Sequence, residues 1–207
     1  MAGSRLSQVA PIVRRTLAAA LVFAAAPARA HLVETGFGAF YDGLAHVVLT
    51  PSDLLLILAL ALLAGSRGAQ AARAALLGLP AAWLAGGVIG AAFPSDVTLP
   101  VLTTLTFGVI GGLVALNARL PASVVASLAV AAGLLHGYVN GATMAPGGAG
   151  GLALVGAVTA AFCLFAIVAA EVTTVGTGWT RIAVRVAGSW LSAAAILMLG
   201  WLARAGV

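Results

Sequence analysis

Long apolar runs recur along the whole of this chain, and they constrain its fold more than any other feature of the sequence. Each has roughly 18 or more residues, enough to cross a hydrocarbon core about 30 Å thick. Hydrophobic residues make up 62% of the chain and charged residues 7%, and the mean hydropathy is +1.15. These values lie far outside the range of soluble globular proteins. The sequence therefore predicts an all-α, polytopic membrane bundle.

Six membrane-spanning helices can be placed, with short connections between them as in a compact helical bundle. They fall at about residues 44–65, 70–93, 97–117, 121–143, 149–171 and 182–203. Residues 31–207 are thus predicted to form a single six-helix transmembrane domain.

Residues 1–30 have the pattern of a cleaved signal peptide. A basic start precedes an apolar stretch from Leu17 to Ala26 and the small-x-small sequence Ala28-Arg29-Ala30. The alternative is an uncleaved anchor helix. Cleavage after Ala30 would leave His31 at the mature N-terminus, where its free amine and imidazole could both ligate a metal such as copper. A terminal histidine that frays in water is the alternative for that residue.

The arginines predict the orientation, because cytoplasmic loops are enriched in them. With the N-terminus outside, the inner side holds five: Arg67, Arg73, Arg119, Arg181 and Arg185. The outer connections hold Asp96 and an uncharged Gly-rich loop, and only Arg204 is on the wrong side. The sequence predicts a multi-pass protein of the bacterial inner membrane with both ends outside.

Several function classes find no support in the sequence. The formal charge of +5 does not indicate a nucleic-acid partner, since four of the ten arginines lie in residues 1–30 and the other six nearly cancel five acids. The single cysteine, Cys163, lies in an apolar run, so no intrachain disulfide is possible and a thiolate metal cluster is not expected. No nucleophile elbow, phosphate loop or zinc-protease helix is present. We therefore predict neither an enzyme nor a permanently bound cofactor.

The stretch from Asp42 to Asp53 places a histidine and two carboxylates at the mouth of the first span. Ionisable groups are costly there and indicate function. At helical spacing, His46, Thr50 and Asp53 share one face. The sequence predicts a lipid-embedded helix with one end exposed to water.

A second polar face follows in the fourth predicted span. His136, Asn140 and Thr143 are four and three residues apart and share a side of the helix. Since the predicted topology puts all three histidines of the chain in the outer half, the two faces could converge on a metal or proton site. The alternative is a buried interhelical hydrogen-bond network. Nitrogen and oxygen donors alone do not choose among nickel, cobalt, copper and zinc.

Glycines and prolines predict how the helices pack. The segments Gly86–Gly90 and Gly108–Gly112 contain small residues four apart, which lets helices approach closely. Pro51, Pro80 and Pro100 lie within or near predicted helices, where a proline either kinks the helix or helps to line a site.

The chain resembles the HupE/UreJ family of small membrane proteins, regarded as nickel or cobalt permeases linked to hydrogenase and urease maturation. The resemblance covers nearly the whole mature chain. It is carried by the mature start at His31, Gly36-Phe37, Gly43-Leu44-Ala45-His46, His136-Gly137, Arg185-Val186-Ala187-Gly188-Ser189-Trp190 and Leu197-Met198-Leu199-Gly200-Trp201.

The two metal motifs of the family are only partly present in this chain. The family's first motif is a His, five residues, then Asp-His; His46 matches the first His, while Ser52 and Asp53 stand where Asp and His belong. Its second motif is His-Gly-x-Ala-His-Gly-x-Glu. There His136, Gly137 and Gly141 match, whereas Asn140 replaces the second His and Thr143 the Glu.

The resemblance implies a permease that moves Ni²⁺ or Co²⁺ through a polar site at the outer face. His46 and His136 would be the primary ligands, and the secondary candidates are His31, Asp42, Asp53 and Asn140. The alternative is a protein that kept the fold and lost the ligands, and that acts as a partner or scaffold for a metalloenzyme.

Overall fold

The computed structural model describes residues 34–93, 99–145, 150–174 and 178–206. Within these ranges the chain forms seven α-helices and no strand, which confirms the all-α prediction. They are α1 (Ala39–Leu49), α2 (Pro51–Ser66), α3 (Ala69–Ala92), α4 (Pro100–Ala115), α5 (Ala122–Met144), α6 (Gly150–Thr174) and α7 (Trp179–Ala205). The predicted signal peptide and His31 lie outside the described residues.

Four of these helices, α3, α5, α6 and α7, are long and apolar enough to cross a bilayer. The pair α1 and α2 has the length and hydropathy of a fifth span, broken by a 73° bend. The helix α4 is apolar but has only 16 residues, about 24 Å at 1.5 Å per residue. The structure thus supports four or five of the six predicted spans and does not confirm the one predicted at 97–117.

The first predicted span, 44–65, is not one continuous helix. Thr50 separates α1 from α2 with an extended backbone, at φ −90° and ψ 106°. The residue before a proline is driven out of the helical region by the proline ring, whereas the proline suits the first position of a helix. The prediction that His46, Thr50 and Asp53 share one helical face is therefore wrong. His46 and Asp53 lie on two helices that differ in direction by 73°.

The other two prolines affect α3 and α4 differently. Pro100 begins α4, as Pro51 begins α2. Pro80 alone of the three lies inside a helix, in the middle of α3.

The helices α3 and α5 make the most extensive contact of any pair in the described part of the chain. Glycines on both helices bring the two backbones together. A Cβ on Gly86 would overlap the carbonyl oxygen of Leu134, and one on Gly137 would overlap that of Trp83. This contact confirms the packing role predicted for the glycines of α3, and it lays Trp83 against the face of α5 that carries His136.

The second glycine segment packs α4 against α7. A Cβ on Gly108 would lie 2.5 Å from the Cβ of Ala195, and one on Gly111 would lie 2.9 Å from the carbonyl oxygen of Gly188. The predicted packing face is confirmed here too.

We expect Gly137→Ala to destabilise the protein, because the new methyl group would force the α3 and α5 backbones apart. Overpacking of this kind costs about 1–3 kcal/mol. The matched control is Gly200→Ala in α7, where a Cβ meets no atom within 4 Å. The free energy of unfolding in mixed detergent and denaturant should fall for the first variant and stay equal or rise for the second. Equal stability of the two variants would contradict the close contact.

Candidate metal centre

Four polar side chains from three helices meet inside the bundle. They are Asp53 of α2, Thr106 of α4, and His136 and Asn140 of α5. Asp53 Oδ1 lies 2.7 Å from His136 Nδ1, and Asp53 Oδ2 accepts a 2.9 Å hydrogen bond from Asn140 Nδ2. The other ring nitrogen, His136 Nε2, lies 2.9 Å from Thr106 Oγ1. We call these four residues the polar cluster.

Three of the four side chains of the polar cluster are closed to the exterior, and Thr106 is partly buried. His136 is 0% exposed, Asn140 2% and Asp53 3%. Burying such groups among apolar side chains is unfavourable unless they are hydrogen-bonded or paired. Their mutual contacts meet that requirement, so the cluster is a stable arrangement as it stands.

The break at Thr50 helps to position the carboxylate. It makes Asp53 a first-turn residue of α2, where the helix dipole stabilises a negative charge. On α5, His136 and Asn140 are four residues apart and project from the same side. One carboxylate therefore bridges an i, i+4 pair on the neighbouring helix.

Hydrogen bonds occupy both ring nitrogens of His136. Thr106 Oγ1, which lies 2.6 Å from the carbonyl oxygen of Thr103, contacts Nε2, and which of the two donates depends on the tautomer of the ring. The hydrogen bond between His136 Nδ1 and Asp53 Oδ1 requires one proton between these two atoms. The pair thus holds a proton where a cation with nitrogen and oxygen ligands would compete for the same atoms.

Trp83 covers the ring of His136. The two ring centroids are 5.7 Å apart with an interplanar angle of 45°. Trp83 is fully buried, and its Nε1 has no hydrogen-bond partner in the part of the chain that the structure describes. The indole therefore covers one side of the imidazole.

The other predicted site residues are not in the polar cluster. His46 lies half-buried on α1 and takes no part in the cluster's hydrogen bonds. Asp42 Oδ1 accepts hydrogen bonds of 2.6 Å from the backbone N–H and the hydroxyl of Thr35. Thr143 donates to carbonyl oxygens of its own helix. His31 lies outside the described ranges.

Of the predicted ligands, the structure brings together Asp53, His136 and Asn140. Across residues 34–93, 99–145, 150–174 and 178–206, no three His, Cys, Asp or Glu side chains form a group able to hold a metal ion. Metal coordination by His46 or Asp42 stays a prediction. His136 and Asn140 of the second polar face form a buried interhelical hydrogen-bond network with Asp53, which was the alternative predicted for that face, whereas Thr143 does not take part in it.

Sequence reasoning missed Thr106 and Trp83. Thr106 had a detectable signal, because Thr103, Thr104 and Thr106 interrupt an otherwise apolar helix. Trp83 had none, since its contact with His136 follows from how α3 meets α5.

The family model described as "HupE / UreJ protein" matches residues 19–198, which include the whole polar cluster. Searches of curated proteins and of solved structures give no significant match.

Proposed function

Because the chain belongs to the HupE/UreJ family, we propose that it moves a divalent transition-metal ion, Ni²⁺ or Co²⁺, across the membrane by way of the polar cluster. Membership makes it a nickel- or cobalt-related multi-pass membrane protein of a transport or accessory family, not of an enzyme family. The observation that carries the proposal is the Asp53–His136 pair, buried in a largely apolar interior. Ionisable residues in such surroundings mark ion pathways.

The cluster offers suitable ligands. An imidazole nitrogen and carboxylate oxygens together bind nickel, cobalt or zinc. Thr106 is hydrogen-bonded to Nε2 of His136, and Nδ1 is the nitrogen that faces the carboxylate. Asn140 holds the other carboxylate oxygen. Partners of this kind orient metal ligands and tune their affinity.

Binding requires the pair to open, because 2.7 Å between Nδ1 and Oδ1 leaves no room for an ion between them. The incoming cation replaces the shared proton. Asp53 lies in the first turn of α2, three residues after the break at Thr50. A shift of that turn separates the carboxylate from His136 and leaves the α3–α5 contact unchanged. A small ligand set also favours release, which conduction requires.

The arginines support a site in the outer half of the membrane. Asp53 lies at the start of α2, and Arg67 follows its end. Cytoplasmic ends are rich in arginine, so the proposed topology has the N-terminus outside, in a bacterial inner membrane. Ni²⁺ or Co²⁺ would then reach the cluster from the outer side.

Direct binding to the purified protein tests the site. We expect calorimetry at neutral pH to give about one Ni²⁺ or Co²⁺ per chain, with proton release, since metal binding competes with protons for the same ligands. Lowering the pH should weaken binding for the same reason. The control is Asp53→Asn, which keeps the shape of the side chain and removes its charge. Equal stoichiometry in the wild type and this variant would contradict the assignment.

A second candidate function is a membrane partner or scaffold for metalloenzyme maturation that does not transport metal. The observation that favours it is that the groups of the polar cluster satisfy one another, with no three-ligand group in the described ranges. Absence of stoichiometric nickel, cobalt, copper and zinc binding to the purified protein would favour this candidate.

A further inference from the structure

Four arginines gather where α2 and α4 end and α7 begins. Arg67 follows α2, Arg119 lies between α4 and α5, and Arg181 and Arg185 lie in the first two turns of α7. Two hydrogen bonds tie these segments together. Arg67 Nη2 donates over 2.6 Å to Asn117 Oδ1, and Arg185 Nε donates over 3.0 Å to the carbonyl oxygen of Ala115. We call the four arginines the arginine end.

The positive charges of the arginine end have no carboxylate partner in the described part of the chain, where the only salt bridge joins His136 and Asp53. Burial first, and then the charges of Arg181 and Arg119, lower the pKa of Arg67 below its ordinary value. Arg67 Nε is also buried without a hydrogen-bond partner among the described residues. Like charges held this close repel one another, so an anion bound among them is favoured.

An apolar groove of about 440 Å³ opens beside Arg185, between α4 and α7. Its lining consists of Ala115, Ile182, Arg185, Val186 and Ser189. Ile182 and Val186 are about half exposed, and Trp179 at the start of α7 is 85% exposed. Tryptophan at a helix end is typical of the level of lipid headgroups. The groove therefore combines an apolar wall with a guanidinium group at headgroup depth.

We propose that the arginine end binds an anionic phospholipid, with the headgroup phosphate between Arg181 and Arg185 and the start of an acyl chain in the α4–α7 groove. Guanidinium groups bind phosphate oxygens in a bidentate manner. Basic pockets between membrane helices bind acidic headgroups in the same way. The apolar wall favours a phospholipid over a soluble anion, because a soluble anion would leave the groove unfilled. The bound lipid offsets the arginine repulsion and holds α7 against α4.

The test compares lipids on the purified full-length protein in neutral detergent. We expect dioleoylphosphatidylglycerol to raise the melting temperature and to remain bound in native mass spectrometry, whereas dioleoylphosphatidylcholine does neither. Arg181→Gln/Arg185→Gln should weaken the apparent affinity for phosphatidylglycerol by about 25-fold, at about fivefold for each arginine. The matched control is Arg204→Gln in the last turn of the same helix, which should respond as the wild type does.

Several results would overturn the proposal. Equal responses to the two lipids would mean that the headgroup charge is not recognised, and equal losses in the double variant and Arg204→Gln would mean that the position is not specific. A melting-temperature shift of the same size with inorganic phosphate alone would make the site one for a soluble anion. Displacement of the lipid by an acidic peptide that binds more tightly would make it a protein-docking surface. Arg181→Gln alone, which leaves the Arg185 bond to Ala115 intact, serves if the double variant does not fold.

Discussion

Replacing His136 by alanine is expected to lower the accumulation of nickel or cobalt in cells at least tenfold, to the level of cells without the protein. The substitution removes the one imidazole in the polar cluster and leaves the carboxylate of Asp53 with Asn140 alone. Losing even a residue that only orients a metal ligand typically lowers affinity or activity about 10- to 100-fold. Asp53→Asn should have a similar effect. The measurement is elemental analysis of cells, normalised to the amount of protein in the membrane.

Thr143→Val is the matched control for this uptake experiment. Thr143 lies on the same side of α5, but its hydroxyl donates to carbonyl oxygens of its own helix. Accumulation should therefore stay close to wild type. Wild-type accumulation in both His136→Ala and Asp53→Asn would end the transport proposal for this cluster. A loss in His46→Ala would add His46 to the pathway, although it lies on α1 outside the cluster.

The second large effect is expected in stability. Asp53→Leu leaves His136 buried without its carboxylate, and breaking a buried pair by removing one partner typically costs about 3–5 kcal/mol. The double variant Asp53→Leu/His136→Leu should recover much of that loss, because replacing both partners by apolar residues is often nearly neutral. The free energy of unfolding of the four proteins in a detergent–denaturant titration gives the coupling energy.

A parallel cycle of Asp53→Leu with Thr159→Val in α6 provides the control and should be additive, since the hydroxyl of Thr159 donates to the carbonyl oxygen of Val155 in its own helix and to no member of the polar cluster. Additive effects of Asp53→Leu and His136→Leu would mean that the pair does not form in the folded protein. This experiment measures the interaction between Asp53 and His136 directly, so its result does not depend on whether the protein transports metal.

Much of the candidate site could be predicted from the sequence. Polar residues in apolar helices are conspicuous, and the spacing of His136 and Asn140 correctly predicted one face of α5. The first polar face failed at Thr50, because helical spacing was applied across a Thr-Pro step that disfavours a continuous helix. The Thr50-Pro51 step is visible in the sequence, and it determines the local structure more strongly than the helical spacing of the polar residues does.

The remaining members of the site depend on tertiary contacts. The predicted topology allowed the two polar faces to converge, but neither α2 nor α5 alone indicates that Asp53, 83 positions away, is the residue that meets His136. The three threonines of α4 are visible in the sequence, but only the contact between α4 and α5 shows that Thr106 is the one that meets His136. Trp83 covers His136 only because glycines let α3 reach the backbone of α5. A single sequence predicts such glycine faces but not which helix each of them meets.

The glycine contact between α3 and α5 also has a mechanical consequence. Because the backbones of α3 and α5 are in direct contact, they cannot slide past each other. His136, Asn140 and Trp83 therefore keep fixed positions relative to one another. Asp53 lies in the first turn of α2, just after the break at Thr50, and its carboxylate can move relative to these three residues. In the proposed transport, displacement of the Asp53 carboxylate would bind or release the cation, while the His136 imidazole stays in place.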